Sequence, residues 1–263
     1  MDAPNAPLPI VERIETMSQN ANDVQTQSVT LTLSDGTTMP AYVARPTQPG
    51  SHPGMLVFQE AFGVNAHIRD ITARFARAGY TAIAPALFHR TDPDLEGSYT
   101  DFAAVMPHMQ ALTDEGQFAD IQAAYDWLKS AEGGQAPAVG SIGYCMGGRA
   151  SFLADALLPL QASVSYYGGG IAPSGRFPDL LGRAADLHAP ILLVWGGKDA
   201  HLGPDQTRAV EDALRAAGKP YASITFSEAD HGFFCDARAS YNPDAASQVW
   251  PLTLAFFATH LGR

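Results

Sequence analysis

The chain alternates between two hydrophobic rhythms. Near its start, Ser28–Leu33 (SVTLTL) and Met39–Ala44 alternate apolar and polar positions, and Ser34-Asp35-Gly36 lies between them. A period of two on each side of turn residues predicts an antiparallel hairpin. Beyond the proline-rich PTQPGSHPG the rhythm changes. Met55–Gln59, Thr81–Ala84, Ala138–Gly143, Ala162–Tyr166 and Ile191–Trp195 are short runs of apolar and small residues, as expected of strands buried on both faces. Tyr221–Phe226 reads as a further strand. Between these runs the apolar spacing becomes helical, over Arg69–Ala78 (closed by Gly79), Gly116–Ser130, Gly147–Leu157, Pro204–Ala217 and 244–261. Residues 88–113 form a polar, irregular excursion with some helix. Strand alternating with helix predicts a mostly parallel sheet covered on both faces. No internal repeat or linker interrupts the pattern. It predicts one domain over 27–263, preceded by a polar arm over 1–26.

Composition narrows the classes. Of 263 residues 46% are hydrophobic and 16% charged, enough for a large core and unlike a disordered chain. The net charge of −11, with no basic cluster, argues against nucleic acid and anionic membranes as partners. No apolar run is long enough to span a bilayer. The first twenty residues lack a basic stretch followed by an apolar run, so no secretory signal is read and a cytoplasmic location is expected. Two cysteines, Cys145 and Cys235, do not make a disulfide framework. Cysteines and histidines show no compact metal-ligand spacing, so neither a metal nor a cofactor is expected.

The candidate chemistry lies in Gly140-Ser-Ile-Gly-Tyr-Cys-Met-Gly-Gly-Arg149. Here Gly143-x-Cys145-x-Gly147 follows a predicted strand and opens a predicted helix. This is the pattern of a nucleophile elbow, with cysteine in the serine position. The helix start behind Cys145 favours a negative sulfur. A buried structural cysteine beside a glycine turn is the alternative. Downstream, strand Ile191–Trp195 runs into Gly196-Gly197-Lys198-Asp199, and strand Tyr221–Phe226 leads to His231-Gly232-Phe233. Taken singly, Asp199 reads equally as a turn residue and His231 as a surface histidine. Together they give the order nucleophile, acid, histidine, each after its own strand, as in α/β-hydrolases.

With these segments in hand, the chain resembles the dienelactone hydrolase family from about Val29 onward. The resemblance rests on Gln59-Glu60-Ala61-Phe62-Gly63-Val64-Asn65, Gly143-Tyr144-Cys145-Met146-Gly147-Gly148, Gly196-Gly197-Lys198-Asp199 and His231-Gly232-Phe233. It implies an α/β-hydrolase fold, a Cys145–His231–Asp199 triad, and a glutamate near the nucleophile, Glu60, that helps ionise the thiol. It also implies an oxyanion hole from the amides of Ala61 and Met146. Cys235 stands where the family's namesake carries a carboxylate-gripping arginine, and Arg238 comes later. Ser98–Thr113, where a second such arginine belongs, contains none.

The expected activity is hydrolysis of a small ester or lactone by a monomer or small homo-oligomer. Cys145 attacks to form a thioester, and His231, oriented by Asp199, activates water. Activity should then fall as His231 becomes protonated. Glu60 has a second reading, as a structural partner of Arg69 or Arg149. Phe62, Tyr144 and Arg238 are candidate substrate contacts, although Tyr144 could equally pack beneath the turn. Cys235 is expected to line or support the pocket, and His67, His89, His108, His188 and His201 to be surface or packing residues. The competing functions are a cysteine peptidase or amidase, a catalytically weak ligand-binding protein, and a serine esterase using Ser141 or Ser151.

Overall fold

Eight strands join one sheet in the order β1-β2-β4-β3-β5-β6-β7-β8 in a computed structural model that describes residues 24–174 and 177–262. Strands β1 (Val24–Thr32) and β2 (Thr38–Pro46) form the expected antiparallel hairpin, with Leu31 opposite Met39. The turn is held by Asp35, whose carboxylate accepts from the Thr37 amide at 2.9 Å and hydroxyl at 2.6 Å. β2 runs antiparallel to β4 (Thr81–Pro85). From there β3 (Gly54–Phe58), β5 (Val139–Tyr144), β6 (Ala162–Tyr166), β7 (Ile191–Gly196) and β8 (Tyr221–Phe226) are all parallel. Every residue of β3 to β7 is buried, which explains runs without a polar face.

The hairpin corrects one boundary. Most of the arm expected over 1–26 lies outside the described residues, but its last three residues already belong to β1. Val24, Gln25 and Thr26 pair with Pro46, Arg45 and Ala44 through their backbones, and the side chains of Gln25 and Thr26 are exposed. An edge strand of this kind leaves no apolar signal to read.

The helices are α1 (Ala66–Arg77), α2 (Phe102–Gln110), α3 (Asp114–Lys129), α4 (Met146–Leu157), α5 (Pro204–Ala216) and α6 (Pro243–Leu261), with a short 3-10 turn at Leu181–Asp186. α1 starts three residues before the expected position because Asn65 caps it, accepting from the Ile68 amide at 3.2 Å. The 88–113 excursion contains α2, capped by Asp101, and α3 opens on Thr113.

α4 carries the elbow and is anchored from below by Asp155. One carboxylate oxygen accepts from the amides of His188 (3.1 Å) and Ala189 (2.9 Å), and the other from the Ser163 hydroxyl (2.6 Å). Burial lifts this carboxyl to about 7 despite those donors. Asp155→Ala strands the buried Ala189 amide and Ser163 hydroxyl and should cost about 3 kcal/mol, or roughly 6–12 °C in Tm. Asp155→Asn keeps an acceptor for the amides and should lose less than half as much in a thermal melt. Equal losses would assign the effect to charge instead of hydrogen bonding.

Candidate active site

The turn between β5 and α4 is a strained corner. Cys145 has φ 57° and ψ −120°, a conformation that costs a non-glycine residue of order 1–3 kcal/mol. Its amide donates to the Tyr166 carbonyl at 3.0 Å, and its carbonyl accepts from Gly148 at 2.9 Å. The flanking glycines are steric necessities. A Cβ on Gly143 would lie 1.8 Å from the Gly147 carbonyl oxygen, and one on Gly147 would lie 2.4 Å from the carbonyls of Phe58 and Gln59. The same close approach brings the exit of β3, where Ala61 lies, against the first turn of α4. Met146 opens α4, so its amide has no acceptor within the helix.

Asp199 and His231 meet at this rim. His231 Nδ1 lies 2.7 Å from Asp199 Oδ2, while Asp199 Oδ1 accepts from the amides of His201 (2.8 Å) and Leu202 (3.1 Å). Burial would raise the Asp199 carboxyl, but the His231 hydrogen bond and charge and those two amides outweigh it and hold it below its ordinary value. The Cys145 side chain lies close enough to the His231 imidazole to raise its pKa. Burial alone would depress its pKa. Interactions with the Cys145 sulfur and with the Asp199 carboxylate overcome that and push it to about 10. The three side chains nominated from sequence thus converge. The rings of Tyr167 and His201 lie 5.1 and 5.4 Å from that of His231.

Glu60 is fully buried, and its partner differs from both arginines named from sequence. Arg238 Nη1 donates to Glu60 Oε1 at 2.9 Å, across 178 positions of chain, and Glu60 Oε2 has no hydrogen-bond partner. Arg69 is instead a fork on Glu96, at 2.6 and 3.1 Å. Arg149 is an ion pair with Asp114 at 2.8 Å and also donates to the carbonyls of Gly170 and Pro178. Gly232, with φ 76°, makes room for Arg238, whose guanidinium carbon would lie 2.3 Å from a Cβ there.

The proposed substrate contacts separate on burial. Arg238 keeps 19% of its side chain exposed. Tyr144 is fully buried with its ring stacked on Phe234, so it packs beneath the turn and offers no surface to a substrate. Phe62 is also buried, edge-on to Tyr99 and under the Arg238 guanidinium, which makes it a floor for that arginine. Ser141 and Ser151 are buried with their hydroxyls 2.7 Å apart, away from any glycine-framed corner.

A second buried group adjoins the first. One ligand atom each from Glu60, His67 and Cys235 lies within 4.8 Å of the other two. The Tyr99 hydroxyl, which accepts from Asn65 Nδ2 at 2.9 Å, hydrogen-bonds the Cys235 thiol. Burial and the Glu60 charge raise that thiol above its ordinary value. Both cysteines are free.

Residues 39–261 match the profile of the dienelactone hydrolase family, which covers most of the chain. The chain belongs to the dienelactone hydrolase family. It is a carboxylic-ester hydrolase by that membership, on the α/β-hydrolase fold. A Synechocystis relative, provisionally named a carboxymethylenebutenolidase, is 34% identical over 91% of this chain and 98% of its own length. One from Escherichia coli K12, with the same provisional name, is 36% identical over 94% and 92%. The crystal structure of a provisionally assigned dienelactone hydrolase from Klebsiella pneumoniae superposes with a TM-score of 0.81, at 36% identity over 90% of this chain and 99% of that one. Among the described residues of this family member, no helix is long and apolar enough to cross a membrane.

Proposed function

We propose that the protein hydrolyses a small ester or lactone through a Cys145–His231–Asp199 triad and a thioester acyl-enzyme. The observation that carries this reading is the position of His231, bonded to Asp199 and close to the sulfur of a strained elbow. The Cys145 sulfur attacks the acyl carbon, and the amides of Ala61 and Met146 receive the developing oxyanion. The imidazolium of His231 protonates the departing oxygen. It then takes a proton from water, which attacks the thioester and releases the acid.

The relatives' names describe a butenolide, a five-membered enol lactone, with a carboxylate arm. Such a leaving group is already stable, which suits a thiolate nucleophile. In this chain Arg238 is the cation placed to meet the arm, although it sits three residues beyond the family's usual position. A substrate carboxylate at Arg238 competes with Glu60 for the guanidinium and leaves the Glu60 charge free beside the elbow.

Because His231 titrates near 10 in the resting enzyme, a simple acid fall as it gains a proton is replaced by a two-state behaviour. The imidazolium is present at neutral pH and serves the first step. Once the sulfur is acylated it no longer holds the proton on the ring, and the imidazole returns toward its ordinary range for the second. NMR titration of the His231 ring should therefore give a pKa of about 10 in the native protein and a much lower one in Cys145→Ala. A folded pKa raised above the unfolded one stabilises fully below about 6.5 and is lost as pH rises towards the folded value. Tm should decline over that window, and less so in Cys145→Ala. An unmoved titration would detach His231 from the sulfur.

The function itself is tested by mixing the enzyme with a slowly deacylating aryl ester and quenching. A hydroxylamine-sensitive adduct on the Cys145 peptide is expected. An adduct elsewhere, or turnover of anilides as fast as of esters, overturns the reading.

A further inference from the structure

We infer that Glu60, His67 and Cys235 form a buried binding site for a thiophilic divalent cation, of which zinc is the type, directly behind the catalytic elbow. Their ligand atoms lie within 4.8 Å of one another, and all three residues are buried. Donors around a tetrahedral zinc stand roughly 3.2–3.8 Å apart, given bond lengths of about 2.0–2.3 Å. A contraction of about 1 Å, within the reach of side-chain torsions, closes the set.

Two of the three ligands carry an unused buried atom. Glu60 Oε2 has no hydrogen-bond partner, and Arg238 occupies only Oε1. His67 Nε2 is likewise buried without a partner, while Nδ1 faces Asp236 Oδ1 at 4.0 Å. Orphaned polar atoms of this kind are costly and call for an occupant. A carboxylate behind the distal nitrogen of a histidine is the usual outer support of a zinc-bound imidazole.

The donor set is one nitrogen, one sulfur and one oxygen. It favours zinc, cobalt or cadmium over magnesium or calcium, which require oxygens. On binding, the Cys235 S–H bond is replaced by a sulfur–metal bond and the proton leaves to solvent. The thiolate neutralises one charge of the cation, Glu60 is shared between the metal and Arg238, and the fourth position is open to water or to the Tyr99 hydroxyl. With Glu60 so engaged, its charge is withdrawn from the elbow, and ester hydrolysis is inhibited reversibly.

Cobalt(II) is the probe, and the test uses the full chain carrying Cys145→Ser, so that the elbow cannot supply a thiolate. A thiolate-to-cobalt charge-transfer band is expected with one metal per chain, displaced by zinc. The band should vanish when Cys235→Ser is added. His67→Gln should weaken zinc binding by more than the roughly 10–100-fold that follows loss of an outer partner. Thermal melting checks each variant, and if Cys235→Ser does not fold, His67→Gln decides. No band in the Cys145→Ser protein, a band that survives removal of Cys235, or undiminished affinity in His67→Gln overturns the site.

Discussion

Cys145→Ala is expected to lower kcat/KM for an activated aryl ester by about 10⁴-fold or more, leaving only the background supplied by the oxyanion hole and binding. The elbow aims one atom, the sulfur, at the substrate and at His231, and alanine removes it without altering the corner. Cys145→Ser keeps a nucleophile in place but weakens it, because a hydroxyl ionises far less readily than a thiol. Its activity should lie between those of the native protein and the alanine variant. Stability gives an independent readout. Cys145→Gly relieves a backbone at φ 57° and should raise stability by about 1–2 kcal/mol while abolishing turnover. A melting temperature no higher than that of Cys145→Ala would show that the corner carries no such strain. Retained activity in Cys145→Ala would dispose of the nucleophile.

The second large effect is at Arg238. Its guanidinium neutralises Glu60, whose side chain is only 1% exposed. Removing one partner of a buried pair leaves an uncompensated charge, so Arg238→Met should cost about 3–5 kcal/mol, or roughly 6–20 °C in Tm. Glu60→Gln/Arg238→Met removes the stranded charge and should recover most of that loss. Catalysis distinguishes the two jobs assigned to Arg238. If it also receives a substrate carboxylate, the ratio of kcat/KM between a carboxylate-bearing lactone and its neutral analogue should fall about 10–100-fold in the double variant, since one charge-assisted contact contributes about 1.5–3 kcal/mol. An unchanged ratio confines Arg238 to holding Glu60.

The parallel core was legible because β3 to β7 bury both faces and therefore carry no polar alternation to obscure them. Cys145, Asp199 and His231 were legible because each lies in a short, glycine-marked segment just after a strand, and strand ends of one parallel sheet share a rim. The start of β1 was hidden because backbone pairing at a sheet edge needs no apolar side chains. The partner of Glu60 was hidden for a different reason: Arg238 reaches it across 178 positions, and nothing local to either residue records the pairing. His67 was assigned to surface or packing and is indeed packed, but its place beside Glu60 and Cys235 depends on distant parts of the chain meeting, which no local pattern records. Tyr144 was offered as a substrate contact because it adjoins Cys145 in sequence, and also as packing beneath the turn, which is the reading that holds. At the end of β5 successive side chains point to opposite sides, and its ring goes under the turn.

The corner at Cys145 has one more implication. Its energetic penalty resides in the main chain and in the glycines that admit it, not in the sulfur. Whatever small group is carried at that Cβ inherits the same line of fire. Oxygen, sulfur or selenium could be interchanged there with no rebuilding of the scaffold, so the reactivity of this hydrolase is a replaceable cartridge in a fixed barrel.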